Sequence, residues 1–183
     1  MPGTASSRLP ALMSIMIAGL MLPAIASGQT TAPKFEYLMT YVAELDPPHQ
    51  VDAKTFIVNL RGGWAKGPNF AARIVPPSTD WLRLLESGIA RLDVRATFLT
   101  DDNQPVYFSY NGIIQHSKES AEKQQKGEVV TPADGVYAVA APTFQTSAAK
   151  YAWMNGVQAV SKLVEIQISP EKSYVKFDVF VVR

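Results

Sequence analysis

From Lys34 to the C-terminus, apolar and polar residues alternate with a period of two, and Gly, Pro, Asn or Asp interrupts the alternation at short intervals. Period two is the signature of strands with one buried face, because successive side chains point to opposite sides of a sheet. The segments that carry it are Phe35 to Ala43, Thr55 to Leu60, Asn69 to Val75, Ala90 to Leu99, Val106 to Tyr110, Ile113 to His116, Val136 to Ala140, Gln158 to Ile168 and Tyr174 to Val182. Turn chemistry separates them at Asp46-Pro47-Pro48, Gly62-Gly63, Pro76-Pro77-Ser78, Asp101-Asp102-Asn103, Asn111-Gly112 and Ser169-Pro170-Glu171-Lys172. One stretch breaks the rule. Lys118 to Gln125 is polar, contains good helix formers and ends before Gly127, so it predicts a short surface helix with a glycine C-terminal cap. Many strands at this spacing make an all-β domain, either a sandwich or a closed barrel.

The N-terminus does not belong to this pattern. Met1 to Ser7 carries no acidic residue, Arg8 is basic, and Leu9 to Ile25 is almost wholly apolar up to the small residues Ala26, Ser27 and Gly28. This is the layout of a secretory signal, with cleavage expected after Ala26 or Gly28. An uncleaved anchor is the competing reading, but Pro10 and Pro23 shorten the helix such an anchor would need. The chain therefore divides into a signal over 1–28, a flexible mature N-terminus over 29–34 and a single domain over 35–183. It is expected in the periplasm or outside the cell, without membrane attachment once the signal is removed.

Roughly 155 residues are enough to bury a real core. With no cysteine in the chain, packing has to replace disulfides, and thiol catalysis is ruled out. The formal charge of +1 and the scattered arginines argue against nucleic acid as a partner. His49 and His116 lack metal-pair spacing, and the sequence has neither a His-x-Glu-x-x-His arrangement nor a Gly-x-Ser-x-Gly elbow. No metal or organic cofactor is expected, and export argues further against nucleotide-dependent chemistry. A homodimer is left open.

Several separated motifs occur in one order along nearly the whole mature chain. They are Phe35-Glu36-Tyr37, Gly62-Gly63-Trp64 with Gly67-Pro68, Asp80-Trp81, and Asp93-Val94-Arg95-Ala96-Thr97-Phe98-Leu99-Thr100-Asp101-Asp102, followed by Val106-Tyr107 with Asn111-Gly112. Tyr137, Ala141-Pro142-Thr143-Phe144-Gln145-Thr146, Tyr151-Ala152-Trp153-Met154-Asn155 and Phe177-Asp178-Val179-Phe180 complete the set. In this order the chain resembles the domain-of-unknown-function 3237 family, also called uncharacterised protein family 0311, as an exported bacterial member. The resemblance implies a compact antiparallel β-barrel of lipocalin-like shape and carries no established activity. Two departures stand out. Pro77-Ser78-Thr79 replaces the usual Gly-Gly-Ala before Asp80-Trp81, and Tyr137 is followed by Ala138 and Val139 with no basic residue. The second makes an anionic ligand less expected.

Asp93, Arg95 and Thr97 share one face of one strand. If that face lines the interior, Asp93 and Arg95 could orient a ligand. If it is solvated, Val94, Ala96 and Phe98 fill the core instead. Asp80 beside Trp81 is a candidate base, or ordinary turn chemistry. Tyr107 and Tyr137 are candidate hydroxyl donors. Trp81, Tyr137, Phe144, Tyr151 and Trp153, with Tyr41, Trp64 and Tyr107, are candidates to line a ligand cavity or simply to fill the core, and Asn155 is a candidate to contact a ligand or to bond backbone. Tyr151 and Trp153 are expected on one side, closing a barrel end. Two function classes follow. One is a cofactor-independent isomerase, cyclase or lyase acting on a small hydrophobic or aromatic molecule, with a carboxylate (Asp93 or Asp80), a tyrosine (Tyr107 or Tyr137) and Arg95 as its parts. The other is a non-catalytic periplasmic carrier.

Overall fold

The computed structural model describes Gly3 and residues 31–183. Apart from Gly3, the expected signal lies outside the described residues. Ten strands, one α-helix and short 3₁₀ turns make up the domain. The strands are β1 (Phe35–Leu45), β2 (His49–Gln50), β3 (Thr55–Gly67), β4 (Phe70–Leu84), β5 (Ala90–Thr100), β6 (Pro105–Gln115), β7 (Tyr137–Ala140), β8 (Thr143–Gln145), β9 (Ala159–Ile168) and β10 (Ser173–Val182). The helix α1 spans Lys118–Gln125.

Every strand pairing is antiparallel, in the order β1-β10-β9-β7-β6-β5-β4-β3, and β1 returns to pair with β3 from Thr40↔Lys66 to Leu45↔Leu60. That last pairing removes both sheet edges and closes an eight-stranded barrel. The short β7 and β8 occupy successive stretches of one strand position along β6. The barrel predicted by resemblance is therefore the fold, and the sandwich alternative is set aside.

Closure requires strands to bend, and the bends fall where the sequence places turns. Gly62-Gly63 and Pro76-Pro77-Ser78 do not end strands. They lie opposite one another inside β3 and β4, where the β3–β4 register breaks between Asn59 and Trp64. On the other side of β4, its register with β5 breaks between Val75 and Thr79. Proline within a sheet is confined to edges and bulges because it cannot donate to the ladder. The Ser78 hydroxyl repairs the break by accepting from the Thr97 N–H (3.1 Å) and donating to the Val75 carbonyl (2.8 Å). Gly63 adopts φ +127, and a Cβ there would stand 2.0 Å from the Val42 carbonyl oxygen. Asn111-Gly112 is likewise not a turn, for β5 and β6 stay in register through Asp93↔Asn111 and Leu92↔Gly112.

The helix forms where predicted. Ser117 caps its N-terminus by accepting from the Ser120 N–H (3.1 Å), and Gly127, at φ +74, donates to the Gln124 carbonyl (2.9 Å).

The two ends of the barrel differ. One is filled by aromatic rings: Phe98 and Phe108 lie 4.8 Å apart, Tyr41 packs 5.4 Å from Phe108, and Tyr41 stacks on Phe177 at 5.6 Å. Tyr151 plugs this end against Phe70 at 5.6 Å, and its hydroxyl donates to Asp102 (3.0 Å). Thr100 and Lys150 also donate to the Asp102 carboxylate. These hydrogen bonds, led by that from Thr100, hold the Asp102 pKa down at about 2.

Candidate functional site

The other end of the barrel is hollow. A cavity of about 410 Å3 opens there, within the range of roughly 300–1,000 Å3 typical of small-molecule sites. Its walls are mainly aliphatic, contributed by residues of β1, β3, β4, β5, β6, β9 and β10, among them Leu60, Leu82, Leu92 and Ile166. Tyr110 and Phe177 of the aromatic cluster also line it, and the loop Asp46-Pro47-Pro48, His116 and Gln124 of α1 contribute from beyond the strand interiors.

The inward row of β4 runs through Ala72, Ile74, Ser78, Asp80, Leu82 and Leu84. The bulge at Pro76-Pro77-Ser78 adds an even number of residues to β4, since Val75 and Thr79 face Thr97 and Arg95. The alternation keeps its phase, and Asp80 arrives inside. Its side chain is a carboxyl in an otherwise apolar stretch, and the residue is 9% exposed. The β4–β5 pairing lapses between Asp80↔Val94 and Arg83↔Arg91. Within that gap the Asp93 backbone N–H donates to Asp80 Oδ1 at 3.0 Å. No other protein group donates to this carboxyl, and it belongs to no ion pair among the described residues. Burial raises its pKa to about 6 against the pull of that hydrogen bond, and the Asp93 charge adds to the rise.

A pair of tyrosines adjoins the cavity, Tyr110 lining it and Tyr41 bonded to Tyr110. The Tyr41 hydroxyl donates to the Tyr110 hydroxyl at 3.0 Å, and both groups are buried. Burial, followed by the Asp80 charge, pushes the Tyr110 phenol above its ordinary value. Burial does the same to Tyr41, with smaller contributions from Tyr110 and Asp80. Both phenols are therefore protonated across the physiological range. Because Tyr110 accepts from Tyr41, its own hydrogen remains free to donate elsewhere. Half-buried His116 shares a hydrogen bond with Ser120 Oγ (3.2 Å), and burial lowers its pKa, favouring the neutral imidazole. Among the described residues, no cluster of His, Asp and Glu could hold a metal ion.

Of the candidates read from the sequence, the structure brings only Asp80 into the cavity. Asp93 and Arg95 do pair (3.6 Å), but on the outer face, with their side chains 37% and 61% exposed. Leu92, Val94, Ala96 and Phe98 take the inward positions of β5, so the solvated-face alternative is the observed one. Tyr107 also points outward, since Val106, Phe108 and Tyr110 occupy the interior side of β6. Trp81 and Tyr137 lie on the outside as well, the first alternating with Asp80 and Leu82, the second preceding buried Ala138. Phe144 is buried against Phe108 at 5.4 Å, in the packed end. Tyr151 and Trp153 do not share a side: Tyr151 is buried and Trp153 is exposed, because this segment is a 3₁₀ turn and not a strand. Asn155 spends its amide on backbone, accepting from the Thr146 N–H and donating to the Thr146 carbonyl, each at 2.8 Å.

Tyr110 is the cavity residue that the motifs did not flag. Its signal was the inward row Val106, Phe108, Tyr110, which continues to Ile114 once Asn111-Gly112 is recognised as strand.

A family model described as a protein of unknown function (DUF3237) matches residues 33–182. The chain belongs to this family. A UPF0311 protein of Clostridium acetobutylicum is 31% identical over 98 residues, which cover 54% of this chain and 61% of that protein. A β-barrel-like protein from Acinetobacter baumannii superposes with TM-score 0.70 at 23% identity, covering 85% of this chain and 99% of that one. An enzyme from Penicillium herquei superposes with TM-score 0.58 at 18% identity, covering 85% and 98%. These structural likenesses establish a shared barrel.

Proposed function

We propose that this DUF3237 family member binds a small, largely apolar molecule in the hollow end of its barrel and acts on it by acid–base chemistry, with Asp80 as the proton acceptor. The observation that carries the reading is a buried carboxyl, without a counter-ion, facing a hydrocarbon-lined cavity. A carboxyl whose pKa sits at about 6 is a stronger base than an ordinary aspartate and changes protonation state close to neutrality. In the proposed step a proton leaves an O–H or an activated C–H of the substrate for Asp80, and the electron pair stays on the substrate. Tyr110 donates a hydrogen bond to the oxygen on which that charge develops. No arginine is required: Asp80 loses a negative charge as the substrate gains one, so the net charge inside the barrel is constant. The Penicillium herquei enzyme is an example of catalysis hosted by this fold.

The aliphatic walls favour a second reading, carriage without reaction. One pair of measurements separates the two. The neutral dye N-phenyl-1-naphthylamine should brighten on entering the cavity, in wild type and in Asp80→Asn alike. A panel of enolisable aryl ketones in D2O, followed by NMR, should show solvent deuterium incorporation with wild type and its loss in Asp80→Asn. Dye binding with no Asp80-dependent exchange would favour carriage, and absence of dye binding would contradict both readings. We further place the protein in the periplasm or outside the cell, on the strength of the N-terminal pattern. The mass of the protein recovered from the host should then lack the residues up to Ala26 or Gly28.

A further inference from the structure

We infer that the molecule this cavity takes is an uncharged alcohol or phenol, one hydroxyl on an otherwise hydrocarbon body, and that carboxylates and phosphates are rejected; this rests on the cavity-binding reading above. Two polar groups of the cavity wall keep unmatched hydrogen-bonding capacity. Asp80 Oδ1 is occupied by the Asp93 N–H, and the second carboxyl oxygen has no donor among the described residues. Tyr110 receives the Tyr41 hydrogen, so its own hydrogen has no assigned acceptor. On the strand wall of the cavity, Asp80 and Tyr110 thus leave one acceptor and one donor unmatched between them. Both groups line the cavity, and in the sheet they flank the same residue, Val94, which pairs with Asp80 on β4 and with Tyr110 on β6. A hydroxyl is the smallest group that both donates and accepts. It completes both residues at once, whereas an ether or ketone oxygen engages only Tyr110. A plain hydrocarbon engages neither and leaves both polar groups dry.

Charge narrows the class further. Among the described residues, the carboxylates lining the cavity are Asp46 and Asp80, and neither lysine nor arginine lines it. His116, the remaining basic group of the lining, is favoured in its neutral form by burial. An anion entering this site would meet a buried like charge and no compensating cation, so one of the two would have to take up a proton.

Calorimetric titration of the full chain at pH 7.5 with 2-phenylethanol, ethylbenzene and phenylacetate tests the inference, since the three share a ring and differ at one end. 2-Phenylethanol is expected to bind roughly tenfold or more tightly than either of the others. In Asp80→Leu its advantage over ethylbenzene should vanish, and in Asp80→Asn the penalty on phenylacetate should shrink. Circular dichroism melts of both variants verify that the barrel is folded. Phenylacetate binding as well as 2-phenylethanol, or an unchanged order of affinities in folded Asp80→Leu, would overturn the inference while leaving the cavity reading intact. Failure of all three compounds and of N-phenyl-1-naphthylamine to bind would remove the cavity reading itself.

Discussion

Asp80 is held at a cost to the fold. Its carboxyl pKa is about 6 in the native barrel against an ordinary 3.8, so the native state binds this proton more tightly than the unfolded chain. The stabilisation is fully present below about pH 4 and disappears as pH rises through 6, a loss on the order of 3 kcal/mol. Asp80→Asn keeps an oxygen for the Asp93 N–H and removes the titration. Urea melts should therefore find the variant more stable than wild type by about 1–3 kcal/mol at pH 8 and equal to it near pH 4; equal stability at pH 8 would count against the buried-carboxylate description. Arg95 sets the opposite expectation. Its pair with Asp93 is exposed, so Arg95→Ala should change stability by less than about 1 kcal/mol and leave dye binding untouched. The difference between these two residues was partly legible in the sequence. Asp80 interrupts an inward row of apolar residues, which alternation can reveal once the phase of the strand is known. Arg95 shares its face with Asp93 and Thr97, and a polar face reads the same whether it meets solvent or a polar lumen.

At the scale of elements, the short strands Thr55 to Leu60 and Asn69 to Val75 belong to the first halves of long bent ones, and the expected strands Val106 to Tyr110 and Ile113 to His116 fall in one strand that ends at Gln115. Each was cut short by residues with turn chemistry: Gly62-Gly63, Pro76-Pro77-Ser78 and Asn111-Gly112. A barrel uses the same residues to bend or to let strands approach closely, and local sequence cannot distinguish bending from reversal. The helix posed no such difficulty, because its caps are local and Ser117 and Gly127 lie next to it in sequence. Gly112 illustrates close approach: a Cβ there would come within 2.6 Å of the Ala140 Cβ and 2.9 Å of the Val139 carbonyl oxygen. Gly112→Ala should consequently lower stability by about 1–3 kcal/mol in thermal or denaturant melts, through displacement of β7. A melt identical to wild type would mean that β7 does not pack against β6 this closely.

Over the whole molecule, one barrel carries out two tasks at opposite ends. Alternation alone left sandwich and barrel open, since closure depends on β1 reaching β3, a pairing between segments that no local pattern records. Nor could composition divide the aromatic residues between ends. Phe98, Phe108 and Phe144 pack one half, and a largely aliphatic lining leaves the other half hollow. Phe108→Ala should cost about 3–5 kcal/mol by opening a void among packed rings. Leu82→Trp should instead fill existing space, with a smaller effect on stability and loss of N-phenyl-1-naphthylamine fluorescence. Comparable destabilisation by both, with dye binding retained in Leu82→Trp, would argue against the hollow end as the binding site. The central claim is that this hollow end holds a carboxyl poised to exchange a proton near neutrality. The most direct measurement is a carbon-13 NMR titration of the Asp80 carboxyl in the full chain. The structure predicts a midpoint at about 6, moving higher when N-phenyl-1-naphthylamine displaces water from the cavity; a midpoint at the ordinary 3.8, unmoved by the dye, would contradict it.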